Sequence, residues 1–124
     1  MDNADLIAEA RKCAGQFTLS KPWLTAGSVA AALLTEDGSV FTGICLDLAC
    51  GIGFCAEHAA IAAMLNGRET VIKKIVAVTI LGILAPCGRC RELMAQVDTR
   101  NLQCEVILPQ GEVRTLKELL PYTW

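Results

Sequence analysis

Cys55-Ala56-Glu57, read together with Pro86-Cys87-Gly88-Arg89-Cys90, decides how the rest of this sequence is understood. The two stretches offer three cysteines and one carboxylate, enough to hold one zinc ion with an acid/base group beside it. Thiolate sulfur is a soft ligand that suits zinc, and a catalytic zinc site keeps three protein ligands and one open position for water. Water bound there loses a proton near neutral pH and becomes a nucleophile. Glu57 follows the first cysteine by two residues. From the first turn of a helix it can face the open position without binding the metal. Two plainer readings stand beside this one. Cys87 and Cys90 can be a redox pair or half of a structural zinc site, and Cys55 can be a buried thiol packed as a small apolar residue.

Working outward, both cysteine segments read as helix starts. The first helix of the pair spans Cys55 to Leu65 and is ended by Asn66-Gly67, with Glu57, Ala60, Ile61 and Met64 on one face. The second runs from Cys87 to about Val97, with Leu93, Met94 and Val97 inward. Between them, Lys74 to Leu81 is a strand rich in β-branched residues. Upstream, Ser28 to Thr35 and Val40 to Leu46 are apolar runs joined by the turn signal Glu36-Asp37-Gly38, the pattern of a hairpin. Cys50-Gly51-Ile52-Gly53 lacks the glycine spacing and the Lys-Ser/Thr of a phosphate loop; it is expected to let backbone pass close to the site. Asp2 to Phe17 has helical periodicity, and Trp23 beyond it is expected in the core. Downstream, Gln103 to Leu108 is a strand, Val113-Arg114 a candidate fifth strand, and Thr115 to Glu118 a capping box opening a short helix. Pro121 ends that helix and leaves Tyr122-Thr123-Trp124 as a tail. This alternation predicts an α/β fold with helices on both sides of a mixed sheet.

Composition bounds the function. Residues 1–124 are expected to form a single domain. The apolar fraction is 53% and the charged fraction 19%, which points to surface buried between layers or between subunits. A net charge of −2 gives no basic footprint for a polynucleotide. No apolar run is long enough for a membrane span, and the acidic N-terminal stretch is unlike a secretory signal. Seven cysteines without an export signal are expected to be reduced thiols in a cytoplasmic protein.

Residues 55–57 and 86–90 resemble the cytidine deaminase superfamily in its three-cysteine form. Thr42-Gly43, the run Gly82 to Arg91, and Leu119-Leu120-Pro121 followed by Tyr122-x-Trp124 are similar to the blasticidin S deaminase-like branch. The resemblance implies a three-layer α/β/α sandwich around a five-stranded sheet. It implies Zn²⁺ held by Cys55, Cys87 and Cys90, with Glu57 as the catalytic proton shuttle. The reaction it implies is hydrolytic loss of the exocyclic amine of an aminopyrimidine nucleoside or analogue, in a homo-oligomer, commonly a tetramer. Ala56 and the Ala85-Pro86 turn would hold the base edge. Members usually hold the ribose with Gly-x-Asn-x-Glu; here Cys45 stands in place of the Asn and Asp47 in place of the Glu. Tyr122 and Trp124 offer large faces for a substrate or a subunit contact.

Three thiolates and one Zn²⁺ sum to −1, so the site benefits from positive charge. Where members often carry Arg after Cys-Ala-Glu, this chain has His58, its only histidine; Arg89, between the later cysteines, is the expected cation. A non-catalytic structural-zinc module, closed by His58 or Cys50, is the alternative from another class.

Overall fold

Asp2 opens the first helix, α1 (Asn3–Arg11): its carboxylate accepts from the Asp5 N–H, and the Asp5 carboxylate accepts from the Asp2 N–H. Two donors that a helix start leaves unpartnered are thus satisfied. In this computed structural model, which describes residues 1–124, α1 stops short of the predicted Phe17. Gly15, at φ +149°, redirects the chain, and Phe17–Thr18 (β1) pairs with the start of β2 (Thr25–Thr35). Trp23 is not in the core: it is 70% exposed, with the Lys21 ammonium over its ring. It lies at a chain reversal, where no further layer is available to cover it.

β2 and β3 (Val40–Asp47) form the expected antiparallel hairpin around Glu36-Asp37-Gly38. After α2 (Ala56–Asn66), β4 (Ile72–Val78) adds to the other edge of β2. The predicted strand reached Leu81, but Ile80 and Leu81 fall in the turn leading to the short β5 (Ile83–Leu84) and are exposed. Their β-propensity is overridden because Thr79 and Gly82 close the turn with hydrogen bonds between their backbones. Then come α3 (Gly88–Val97), β6 (Glu105–Ile107) parallel to β4, β7 (Val113–Thr115) antiparallel to β6, and α4 (Leu116–Leu119). The five longer strands run β3-β2-β4-β6-β7, a mixed sheet. No helix is long and apolar enough to cross a membrane.

The period of two along each strand sorts side chains into two layers. Ala30, Ala32, Leu34, Val76 and Val78 face α1, where Leu6 and Ala10 meet them. Ala31, Leu33, Ile75 and Ala77 face the other way, toward Ala60, Ile61 and Met64 of α2, Met94 of α3 and Leu116 of α4. The alanines that are poor strand formers thus serve as thin spacers between sheet and helices. At Gly43 the approach is closest, since a Cβ there would lie 2.4 Å from the Ala60 nitrogen. One buried polar residue ties the layers together. Asn101, fully buried, accepts from the Ile72 N–H at 2.8 Å and donates to the Thr70 and Met94 carbonyls at 3.1 and 3.0 Å.

Candidate active site

Cys55 is the N-cap of α2 and Cys87 the N-cap of α3, both in extended backbone; Cys90 sits in the first turn of α3. Cys55 is delivered by a backbone bridge in which Leu46 and Phe54 exchange both hydrogen bonds. Gly53 makes that bridge feasible: a Cβ there would lie 2.4 Å from the Leu46 carbonyl oxygen. On the other side, the Arg91 Nε donates to the Pro86 carbonyl at 2.9 Å and its guanidinium also donates to the Leu119 carbonyl at 3.0 Å. This staple holds the turn that presents Cys87.

The sulfurs converge. Cys55 and Cys87 Sγ are 3.3 Å apart, and Cys87 and Cys90 Sγ 3.5 Å apart. Ligands at the usual zinc–sulfur distance of about 2.3 Å around a tetrahedral ion stand about 3.8 Å from one another, so a small expansion admits zinc. Helix starts favour negative charge through their free N–H groups and dipole. The effect is uneven. Burial pushes the Cys55 thiol up, with the neighbouring Cys87 thiol adding to it. Burial also acts on Cys87, but the backbone N–H groups of Cys90 and Arg89 and the adjacent thiols outweigh it and bring this thiol below its ordinary value. Cys90 is raised furthest, by burial first and by the Glu57 carboxylate second. Cys87 is therefore the readiest thiolate of the three.

Glu57 is 4% exposed, and burial raises its pKa above the ordinary carboxylate value. It lines a cavity of about 460 Å³ together with Cys55, Ala56, Cys87, Arg89, Cys45 and Asp47. That volume is in the range of small-molecule sites. His58 is placed differently. Its Nδ1 is 3.4 Å from Cys90 Sγ, and it forms with Cys55 and Cys90 a group whose ligand atoms lie within 4.8 Å of one another. Yet His58 does not line the cavity; it borders a separate groove along α3, beside Glu92 and Gln96. Burial, and then the nearby Arg89, lower its pKa. Cys50 is exposed on its loop and outside this group. Tyr122 and Trp124 are 90% and 98% exposed and do not reach the cavity of their own chain. Ser28 and Leu84 line the cavity without any sequence signal to mark them, and Arg91 looked like an ordinary helix arginine.

The comparisons agree with this geometry. Residues 5–106 match the family model described as the cytidine and deoxycytidylate deaminase zinc-binding region. A cytidine deaminase of Halalkalibacterium halodurans is 36% identical over 97 residues, covering 75% of this chain and 74% of that protein. A cytidine deaminase of Sporosarcina psychrophila is 30% identical over 125 residues, covering 98% and 90%. Among solved structures, cytidine deaminase from Burkholderia pseudomallei superposes with a TM-score of 0.79 at 31% identity, covering all of both chains. The enzyme from Mycobacterium tuberculosis does so with 0.83 at 26%, covering 100% of this chain and 98% of that one. With a matched zinc-binding region and a convergent set of sulfur donors around a buried glutamate, this chain belongs to the cytidine deaminase family of zinc-dependent hydrolases.

Proposed function

We propose that the protein removes the exocyclic amine at C4 of a cytosine-type nucleoside by hydrolysis, releasing ammonia. The single observation that carries this reading is the buried Glu57 beside converging sulfurs in one wall of a nucleoside-sized cavity. Cys55, Cys87 and Cys90 hold the metal. Zinc held there supplies an acidified water and an electrophile within reach of the substrate. Glu57 takes the proton of the attacking water and passes it to the ring nitrogen N3 as C4 becomes tetrahedral. It then carries a proton to the departing amine. Its raised pKa suits both directions, since a group that must accept and return a proton works best near the operating pH. The backbone of Ala56 and the Ala85-Pro86 turn hold the base edge, and Asp47 meets the sugar. Arg89 supplies the positive charge for the thiolates, while His58, its pKa lowered by burial and then by Arg89, serves as a hydrogen-bonding partner of Cys90. His58 stands beside Cys90 without lining the cavity, and Arg89 borders both the cavity and the groove next to His58.

The enzyme is proposed to act as a homotetramer. Ile52, Ile80, Leu81, Tyr122 and Trp124 are large apolar side chains left exposed, which supports a subunit interface, and in this reading Tyr122 and Trp124 serve a neighbouring subunit. Free thiols needed as ligands suit a reducing compartment, so the cytoplasm is its proposed location. A second reading, a bulkier cytosine analogue of the blasticidin S type, is favoured by one feature. Cys45 lines the sugar end of the cavity and lacks the paired hydrogen bonds of an amide. Ammonia release measured from zinc-loaded protein with cytidine, deoxycytidine, cytosine and blasticidin S tests both. Turnover of none of them would overturn the proposal.

A further inference from the structure

We propose that Ser28 is a positioning residue that sets sugar recognition, by holding Asp47 as an acceptor for a hydroxyl of the ligand. The inference rests on the deaminase reading of the cavity. Its basis is a break in the hairpin. β2 and β3 are in register at Ala26↔Leu46 and again at Ala30↔Ile44. Between these pairs Gly27, Ser28 and Val29 stand opposite the single residue Cys45. Gly27, at φ +86°, takes the backbone into a region that other residues rarely adopt. As a result Ser28 and Val29, adjacent in sequence, both line the cavity, which a regular strand would forbid.

The bulge also creates a directed hydrogen-bond chain. The Val29 N–H, with no ladder partner across the bulge, donates to Cys45 Sγ at 3.3 Å. Cys45 Sγ is 3.2 Å from Ser28 Oγ, and Ser28 Oγ donates to Asp47 Oδ2 at 3.2 Å. Ser28 has one hydroxyl proton, and an ionised carboxylate only accepts, so that proton goes to Asp47. The Cys45 thiol then has two acceptors, Ser28 Oγ at 3.2 Å and, at 3.9 Å, Asp47 Oδ2 itself. Every proton in the chain points toward Asp47, and one carboxylate oxygen is left for the ligand. This end of the cavity offers acceptors and negative charge. It suits an uncharged sugar bearing a hydroxyl, and it opposes a phosphate there.

The test compares ligands with and without the sugar. On zinc-loaded protein, calorimetry measures binding of the reaction products uridine and uracil, and steady-state kinetics are run with cytidine and cytosine. Ser28→Ala is expected to weaken uridine binding and raise KM for cytidine about tenfold or more, the usual scale for a hydrogen bond to a charged group. Uracil binding should change less than about twofold on the same reasoning, because the base lies at the zinc end. Ser28→Thr, which keeps the hydroxyl, should restore most of the loss. If Ser28→Ala does not fold, Ser28→Gly also removes the hydroxyl that donates to Asp47 and carries the same expectation. Equal weakening of uridine and uracil, or an unchanged preference between them, overturns the proposal. So does a wild-type protein that binds both alike. If the wild-type protein deaminates neither cytidine nor cytosine yet loses its uridine preference on Ser28→Ala, the role of Ser28 stands and the deaminase reading falls.

Discussion

Glu57→Gln separates the chemistry of this site from its stability. Glutamine keeps the shape of the side chain and cannot carry a proton. Loss of general acid/base help reduces rates by about 10²–10⁴, which is about 2.7–5.5 kcal/mol of barrier. Zinc content should stay at one per chain, because the carboxylate is not a ligand in this reading. The same substitution should stabilise the metal-free protein at neutral pH. The carboxyl is nearly fully buried and its pKa is raised in the folded state. A group raised on folding contributes stability that is fully present below its unfolded pKa and is lost as pH rises through the folded pKa. As pH rises above the ordinary glutamate range the wild-type protein progressively loses that contribution, whereas glutamine does not titrate. Thermal unfolding of metal-free protein should therefore show the variant melting higher at pH 7, with the gap closing toward about pH 4, the ordinary glutamate range. Ammonia release and melting curves across pH check both halves. A variant with a near-normal rate and full zinc refutes the proton-shuttle role, and a melting gap that does not change with pH refutes the burial argument.

Each single alanine substitution of Cys55, Cys87 and Cys90 should reduce zinc stoichiometry by metal analysis. In the wild-type protein, zinc affinity should fall as pH falls, because burial holds the Cys55 and Cys90 thiols protonated and binding must displace those protons. Asn101→Ala should cost about 3 kcal/mol, roughly 10 °C in Tm, since it strands the buried Ile72 N–H and two carbonyls; calorimetric melting reads this directly. Removing Tyr122 to Trp124 should raise KM while zinc content holds. The tail is tied to the rest of this chain by a hydrogen bond from the Trp124 N–H to the Glu92 carboxylate, at 3.0 Å, so a folded truncated protein is expected. Light scattering should give a tetramer for the intact protein, and a monomer at micromolar concentration would remove the interface proposed for the tail.

Much of the site was legible in the sequence because its signals are local. A cysteine three residues after another places both at one helix start, and Cys55 and Cys87 do cap α2 and α3. The helical spacing of Glu57, Ala60, Ile61 and Met64 alone put these four on one face, and all four are buried. The capping box at Thr115 and Glu118 reads the same way in sequence and in structure. These features depend on contacts within four residues along the chain. What tertiary structure decided depends on pairing between different elements of the chain, or on which side of an element meets the cavity. Trp23 is apolar enough for a core, but no layer covers its turn. Asn101 looks like a loop residue until Ile72, Thr70 and Met94 surround it. His58 and Cys55 are neighbours on one helix start, yet only Cys55 lines the cavity, while His58 borders a groove along α3. Ser28 acquires its place only through the shift in register against Cys45, which no residue of β2 announces on its own.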